Sequence, residues 1–476
     1  MNADRQGLQA LFDRQGANRW RVAASSSAER VAKLAHLRAA ILRRQEELSS
    51  AIWEDFRKSP FETWLTEVFP SIEEIDVAMK RLRSWMRERS VPGAFVLPLA
   101  SGALRYEPKG RVLIMSPWNY PFHLLITPLV AAIAAGNCII AKPSNKTPRT
   151  SAFIASLLGE LFPLEEVAVV EGAGATLGES LLELPFDHVF FTGSPQVGAR
   201  VGEAAARVHA GLTLELGGKS PTVLLPGADI KDAAAKIMWG KCLNAGQTCI
   251  APDYLLCPAG EEEQFSIAAR KVVQTFYGHA EADWRLSDCF PRIVDCKACD
   301  RMSRLVKDAV DRGATAQFGG QFDVAERYAA PTVLTGVRPE MLIMQEEIFG
   351  PILPVISYSN LGEALDFIRG RPKPLALYVF GKDRGALERV KTGTTSGSIC
   401  INDLIVQIEN PNLPFGGVGM SGTGSYHGFF GFKTFSHERN VVVQGPFSVA
   451  TAFYPPYGRR AQKLLVSAIK KLRGFS

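Results

Sequence analysis

Cysteine is scarce in this chain, neither sign of charge dominates, and no apolar run is long. Eight cysteines in 476 residues are too few for a disulfide-stapled secreted scaffold. Cys289, Cys296 and Cys299 lack the paired-ligand spacing of a structural zinc site. No metal is expected, and the expected setting is a reducing cytoplasm. A net charge of +6, with basic residues spread along the chain until its last stretch, gives nucleic-acid binding no support. Met1 to Trp20 is polar and lacks the basic-then-apolar pattern of a signal peptide. The most apolar stretch, Leu124 to Ala135, contains Thr127 and Pro128 and stops at Gly136-Asn137. That is well short of the roughly 20 residues needed to cross a bilayer, so a buried helix is expected.

An apolar content of 46% and a charged content of 21% exclude disorder over most of the length. The length exceeds what one core usually serves, which predicts two or three domains. Between Arg111 and Val223, short β-rich runs alternate with helical stretches: Val112 to Met115, Cys138 to Ala141, Val167 to Val170, His188 to Phe191 and Leu212 to Leu216. Parallel strands need crossovers, so the alternation predicts a doubly wound α/β nucleotide-binding layer. Three runs end in loop chemistry, at Ser116-Pro117-Trp118-Asn119, Lys142-Pro143-Ser144 and Thr192-Gly193-Ser194. Ligands in such sheets bind outside the carboxyl ends of the strands, so these loops should converge. Ala28 to Arg87 reads as helical. A second alternation, with Tyr254 to Cys257, Ile348 to Ser357, Leu375 to Phe380 and Gly397 to Asn402, predicts a second α/β domain. Ser90 to Tyr106, rich in proline and glycine, reads as a hairpin excursion.

Cys249 follows Asn244-Ala245-Gly246-Gln247-Thr248, an approach more polar than a core strand normally carries. A thiolate there can add to a carbonyl, and the bland alternative is a small buried apolar residue. Asn119 either donates its amide to a developing oxyanion or satisfies its own turn. Glu215 ends the apolar run Leu212 to Leu216; partial desolvation would raise its pKa and suit it as a base, while the alternative is a pair with Lys219. Gly193-Ser194-Pro195-Gln196-Val197-Gly198 opens a predicted helix, Gln196 to Val208, whose N-terminus favours a pyrophosphate; by itself the same turn is an ordinary N-cap.

Taken in order, Pro117-Trp118-Asn119-Tyr120-Pro121, Ala134-Ala135-Gly136-Asn137, Phe191-Thr192-Gly193-Ser194, Leu214-Glu215-Leu216-Gly217-Gly218-Lys219-Ser220-Pro221, Gly246-Gln247-Thr248-Cys249, Glu346-Glu347-Ile348-Phe349-Gly350-Pro351 and Leu413-Pro414-Phe415-Gly416-Gly417 resemble the aldehyde dehydrogenase superfamily, in its class-three or fatty-aldehyde branch. The resemblance runs from about Glu54 to Arg439 and implies an α/β fold with two doubly wound domains and a small β oligomerisation element. It implies a dinucleotide-binding domain at 1–89 and 107–215, a catalytic domain at 216–408, bridging segments at 90–106 and 409–445, and a tail at 446–476. By the same resemblance Cys249 is the nucleophile, Asn119 and the Cys249 backbone N–H the oxyanion donors, and Glu215 the base that activates water. Lys142, Ser144, Asn145, Gly193, Ser194, Gly198, Glu347 and Phe349 would hold NAD or NADP. Tyr120 and His427 would line the substrate tunnel. The implied reaction oxidises a fatty, terpenoid-like or aromatic aldehyde to its acid through a cysteine thiohemiacetal and thioester, in a homodimer. A CoA-acylating dehydrogenase, a cysteine hydrolase or acyltransferase, and a catalytically silent binding relative are the rival readings.

Relatives in this branch often have histidine where Gln407 falls and lysine where Phe429 stands, so the substrate entrance is expected to be less basic here. The tail from Tyr457 interleaves Arg459, Arg460, Lys463, Lys470, Lys471 and Arg473 with Leu464, Leu465, Val466, Ile469 and Leu472. It reads as a helix lying on an anionic membrane surface or as one packing its apolar stripe on its own or a partner subunit. Many relatives have glutamate at the position of Asn145, where a carboxylate repels a 2′-phosphate. Steady-state kinetics with both coenzymes is therefore expected to show NADP used alongside NAD, with a discrimination below about 10³-fold, or roughly 4 kcal/mol.

Overall fold

The structure is a computed structural model and describes residues 4–92, 100–446 and 448–474. Strand runs buried on both faces, such as Cys138–Lys142 and Ala376–Phe380, need helices on either side, and the chain meets this with two mainly parallel sheets. In the first sheet the strand order is Gly422–Thr423, Gly211–Leu216, His188–Gly193, Arg111–Met115, Cys138–Lys142, Val167–Val169. The winding reverses beside Arg111–Met115, so the loops after Met115 and Gly193 open into a crevice at the carboxyl ends. The edge strand Gly422–Thr423 runs antiparallel to Gly211–Leu216. It comes from the segment expected only to bridge subunits.

The second sheet has the order Thr315–Phe318, Thr332–Thr335, Ile352–Tyr358, Tyr254–Pro258, Pro221–Leu224, Ala376–Phe380, Ser398–Ile401. The strand expected from Ile348 begins only at Ile352, because Phe349 is left-handed (φ 50°) and the Ile348 N–H is held by Asp253. A third, antiparallel sheet joins Arg89–Val91, Ala100–Pro108 and Ser436–Gln444. The expected excursion is therefore sheet at both ends, and its middle, 93–99, lies outside the described residues.

The helical region resolves into Ser27–Arg43, Gln45–Phe56 and Phe69–Trp85, with a π-helical turn at Trp64–Val68. An earlier helix, Arg5–Ala23, escaped sequence reading because Leu8, Leu11 and Phe12 are dispersed among arginines and glutamines. That apolar stripe packs on the first sheet beside Leu113 and Ile140. In the tail, Arg460–Arg473 is helical, and Leu464 (65% exposed) shows that its apolar stripe is not covered by the rest of the chain.

The expected buried helix is His123–Ala135, covered on every side. Gly136, at φ 89°, ends it, and the buried Arg30 guanidinium donates to Ala134 O at 2.9 Å. A Cβ on Gly136 would lie 2.5 Å from that guanidinium. Gly136→Ala is therefore expected to cost at least about 2 kcal/mol, from left-handed strain and a displaced helix cap, read as a lower urea midpoint.

Candidate active site

The polar approach to Cys249 is a buried hydrogen-bonded frame. After the helix Ile230–Cys242 the chain places Asn244 (φ 52°), Ala245 (φ 51°) and Gly246 (φ 73°) in successive left-handed conformations. A side chain on Gly246 would run into the Gly350 carbonyl. Asn244 Nδ2 donates to Asn119 O at 2.8 Å and to Gln247 O at 3.2 Å. Gln247 Nε2 donates to Asn244 O and Arg292 O, and its Oε1 accepts the Val294 N–H. Most of these polar groups are used by the backbone, which is why so polar a run can be buried; Asn244 Oδ1 has no partner among the described residues.

Asn119 is tied to the same frame: its Nδ2 donates to Gln247 O at 3.0 Å, which occupies one of its two amide hydrogens. Tyr120 OH meets Thr248 Oγ1 at 2.5 Å, so the residues flanking the two candidate groups are joined directly.

Glu215 is the penultimate residue of the strand Gly211–Leu216 and is 3% exposed. Neither carboxylate oxygen has a hydrogen-bond partner among the described residues. Burial drives its pKa well above the usual carboxylate range. It does not pair with Lys219, which instead binds Asp253 and donates to Ile343 O and Glu346 O. Glu347 accepts the Gly218 N–H at 3.1 Å and is pushed up to about 8, first by burial and then by Asp253.

Cys249, Glu215 and Tyr120 line one cavity of about 220 Å³ whose walls are mostly apolar, with Leu124, Trp239 and Phe415 among them. Burial pushes the Cys249 thiol up to about 12, and the charges of Glu347 and Glu215 add to the rise. The backbone N–H groups of Cys249 and Ile250 oppose it. His123 and Glu409 also line this cavity, and sequence reading missed both. His123 makes no hydrogen bond to the thiol, and burial lowers it to about 3; its Nε2 has no partner among the described residues. The cysteine–histidine pair that a hydrolase requires is not formed by this residue.

The coenzyme candidates divide. Ser194, Glu347 and Phe349 line a second cleft, about 740 Å³, together with Lys219, Arg301 and Lys373. A third, of about 290 Å³, shares Arg301 and Phe349 and adds Trp118 and Lys146. Among the described residues, Lys142, Ser144, Asn145, Gly193 and Gly198 line neither cleft. Lys142 is buried at the end of its strand, donating to Pro143 O at 3.3 Å. Ser144 accepts the Lys146 N–H, and Asn145 is exposed. Gly193 ends the strand His188–Gly193. Ser194 caps the helix Pro195–Arg207, and the Gly198 N–H is already bonded to Ser194 O. A Cβ on Gly198 would lie 2.6 Å from Leu216, so that glycine lets the helix rest on the strand that carries Glu215.

His427 does not line the cavity. Its Nδ1 lies 3.2 Å from Glu74 Oε2, and its ring stacks on Tyr426, which forms the wall in its place. Gln407 bonds Tyr378 OH, and Phe429 packs with Trp85, Tyr106 and Phe432. Neither is among the residues that line the cavity.

A model of the aldehyde dehydrogenase family matches residues 8–441. Aldehyde dehydrogenase family 3 member B1 of Rattus norvegicus is 41% identical over 466 residues, covering 98% of this chain and 97% of the relative. The substrate-bound state of Staphylococcus aureus AldH superposes with a TM-score of 0.93 at 38% identity, covering 99% of this chain and 100% of the other. The NAD+ complex of aldehyde dehydrogenase from Bacillus cereus gives 0.83 at 26% identity, covering 93% and 90%.

Because the Glu347 charge opposes ionisation of the thiol, Glu347→Gln should lower the Cys249 pKa. The effect should appear above the value of about 8 to which Glu347 is raised, where its carboxylate is ionised. Iodoacetamide at about pH 9 is expected to alkylate Cys249 several-fold faster in that variant, by mass spectrometry of the Cys249 peptide.

Proposed function

The chain belongs to the aldehyde dehydrogenase family, and on that premise we propose that it oxidises an apolar aldehyde to the carboxylic acid with NAD or NADP, through Cys249. The observation that carries this reading is the meeting of Cys249 with an unpartnered, desolvated Glu215 in one small apolar cavity. The adjoining clefts suit a dinucleotide: the exposed Lys373 is offered to phosphates, and the absent side chain at Gly217 leaves room for Glu347. Ser194, Glu347 and Phe349 would hold the group, with Lys142, Ser144, Asn145, Gly193 and Gly198 shaping the loops around it. When bound, it supplies the acceptor for the two electrons that leave the aldehyde carbon.

Cys249 adds to the aldehyde carbonyl through its thiolate, giving a thiohemiacetal whose oxyanion is met by the second Asn119 amide hydrogen and the Cys249 N–H. Oxidation leaves a thioester on Cys249. In its ionised form Glu215, whose oxygens have no competing partner, takes a proton from the water that attacks this thioester, releasing the acid and the thiol. An acceptor base at this point favours water over CoA as the acyl acceptor. The apolar lining suits fatty, terpenoid-like and aromatic chains, with Tyr120 in the wall.

The exposed Val91, Val442 and Val443 on the three-stranded sheet support a homodimer. Eight free cysteines support a reducing, cytoplasmic setting. Membrane contact through the tail finds no support in the fold or among the relatives; no described helix is long and apolar enough to cross a membrane.

Cys249→Ser is expected to lose at least about 10³-fold of aldehyde-dependent coenzyme reduction. Glu215→Gln should still form the thioester but hydrolyse it slowly, giving in stopped flow a burst of about one reduced coenzyme per site and then a slow phase. A Cys249→Ser variant with near wild-type turnover would overturn the reading.

A further inference from the structure

Resting on the reading of Cys249 and Asn119 above, we propose that Glu62 and Glu67, with Lys58, are positioning residues for the aldehyde oxidation. Glu67 fixes the loop that carries Asn119, and Glu62 fixes the one that carries Cys249.

Both acids come from the helical region that precedes the first sheet: Glu62 lies in the short helix Pro60–Thr63 and Glu67 within the π-helical turn Trp64–Val68 that follows it, where the Phe69 N–H reaches back to Trp64 O. Such a turn inside a helical run is a common mark of a functional position. It also puts Leu65 and Thr66 in the cavity wall. Glu67 is fully buried, and its Oε2 accepts two backbone N–H groups, from Phe122 at 3.1 Å and His123 at 2.9 Å. These open the helix His123–Ala135, which has no side-chain cap of its own, three residues after Asn119. The other oxygen of Glu67 meets Lys58 Nζ at 3.1 Å, and that ammonium lies 4.6 Å from the centre of the Tyr120 ring. Tyr120 in turn bonds Thr248, the residue before Cys249.

Glu62 closes the circuit from the other side. Its Oε1 accepts the Asn244 N–H at 2.7 Å, and Asn244 donates its side chain to Asn119 O. Asn244 is left-handed, so an acceptor for its N–H holds a conformation that the chain would otherwise avoid. A buried ion pair contributes little net stability compared with apolar residues of the same size. Its use here lies in the two loops it registers: nucleophile and oxyanion donor sit on separate segments, and a displacement of about 1 Å between them costs roughly 10²-fold in rate.

The test compares Glu62→Ala, Glu62→Gln and the double variant Lys58→Met with Glu67→Leu, which removes the pair without stranding one charge. Glu62→Ala and the double variant are each expected to lower kcat roughly 10- to 100-fold, with the aldehyde KM within about threefold of wild type. The double variant should also lower the thermal midpoint, because the Phe122 and His123 N–H groups lose their acceptor. Glu62→Gln, whose amide oxygen still accepts the Asn244 N–H, should restore kcat to within about threefold. Wild-type kcat in Glu62→Ala and in the double variant would overturn the proposal, as would a loss confined to KM. The two variants break separate contacts, so either decides if the other does not fold. Wild-type protein without aldehyde-dependent turnover would defeat the reading of the site itself, whereas active wild type matched by active variants defeats only this inference.

Discussion

Water is kept from a thiol and a carboxylate in one chamber and from a second carboxylate at the adjoining cleft, and the rest of the structure follows from that constraint. Desolvation raises Cys249, Glu215 and Glu347 together. Each then favours its protonated form, and each must give up or take a proton when charge appears nearby. A thiol so raised is inert until something replaces the missing solvation, and the nearest replacements are the Cys249 and Ile250 N–H groups. A carboxyl without partners is likewise held ready, because no hydrogen bond has to be broken before it acts.

The fold assembles this chamber from two sheets used in opposite senses. The first contributes the carboxyl ends of its strands: the turn after Met115, the turn after Gly193 and the last residues of Gly211–Leu216. The second contributes the segments that lead into its strands, since Cys249 precedes Tyr254–Pro258 and Glu347 precedes Ile352–Tyr358. Two groups from separate halves of the chain are thereby brought face to face, and the frame of Asn244 and Gln247 bridges them. Chemistry placed ahead of a strand is unusual for an open α/β sheet. Here the left-handed residues Asn244, Ala245 and Phe349 bend the approach enough to make it work.

The parallel strands were legible in the chain because they are fully buried and written as nearly unbroken β-branched and apolar runs, as in Cys138–Lys142 and His188–Gly193. Cys249, Glu215 and Tyr120 were legible because they sit in short ordered motifs, and the cavity brings them together. The helix Arg5–Ala23 was not, since its few apolar residues are outnumbered by polar ones. His123 and Glu409 were invisible because nothing local tells a cavity wall from a core. His427 misled for the same reason: its neighbours in sequence line the cavity while its own ring turns toward Glu74. Glu62 lies 182 residues from the partner it holds and Glu67 lies 55 and 56 from its two, distances no local pattern spans.

The contact between Gly198 and Leu216 seats the helix Pro195–Arg207 on the strand Gly211–Leu216. With no side chain between them, the helix that opens at Ser194 lies against the residue next to Glu215. Any residue larger than glycine at 198 would have to displace Leu216, and with it the strand position beside Glu215.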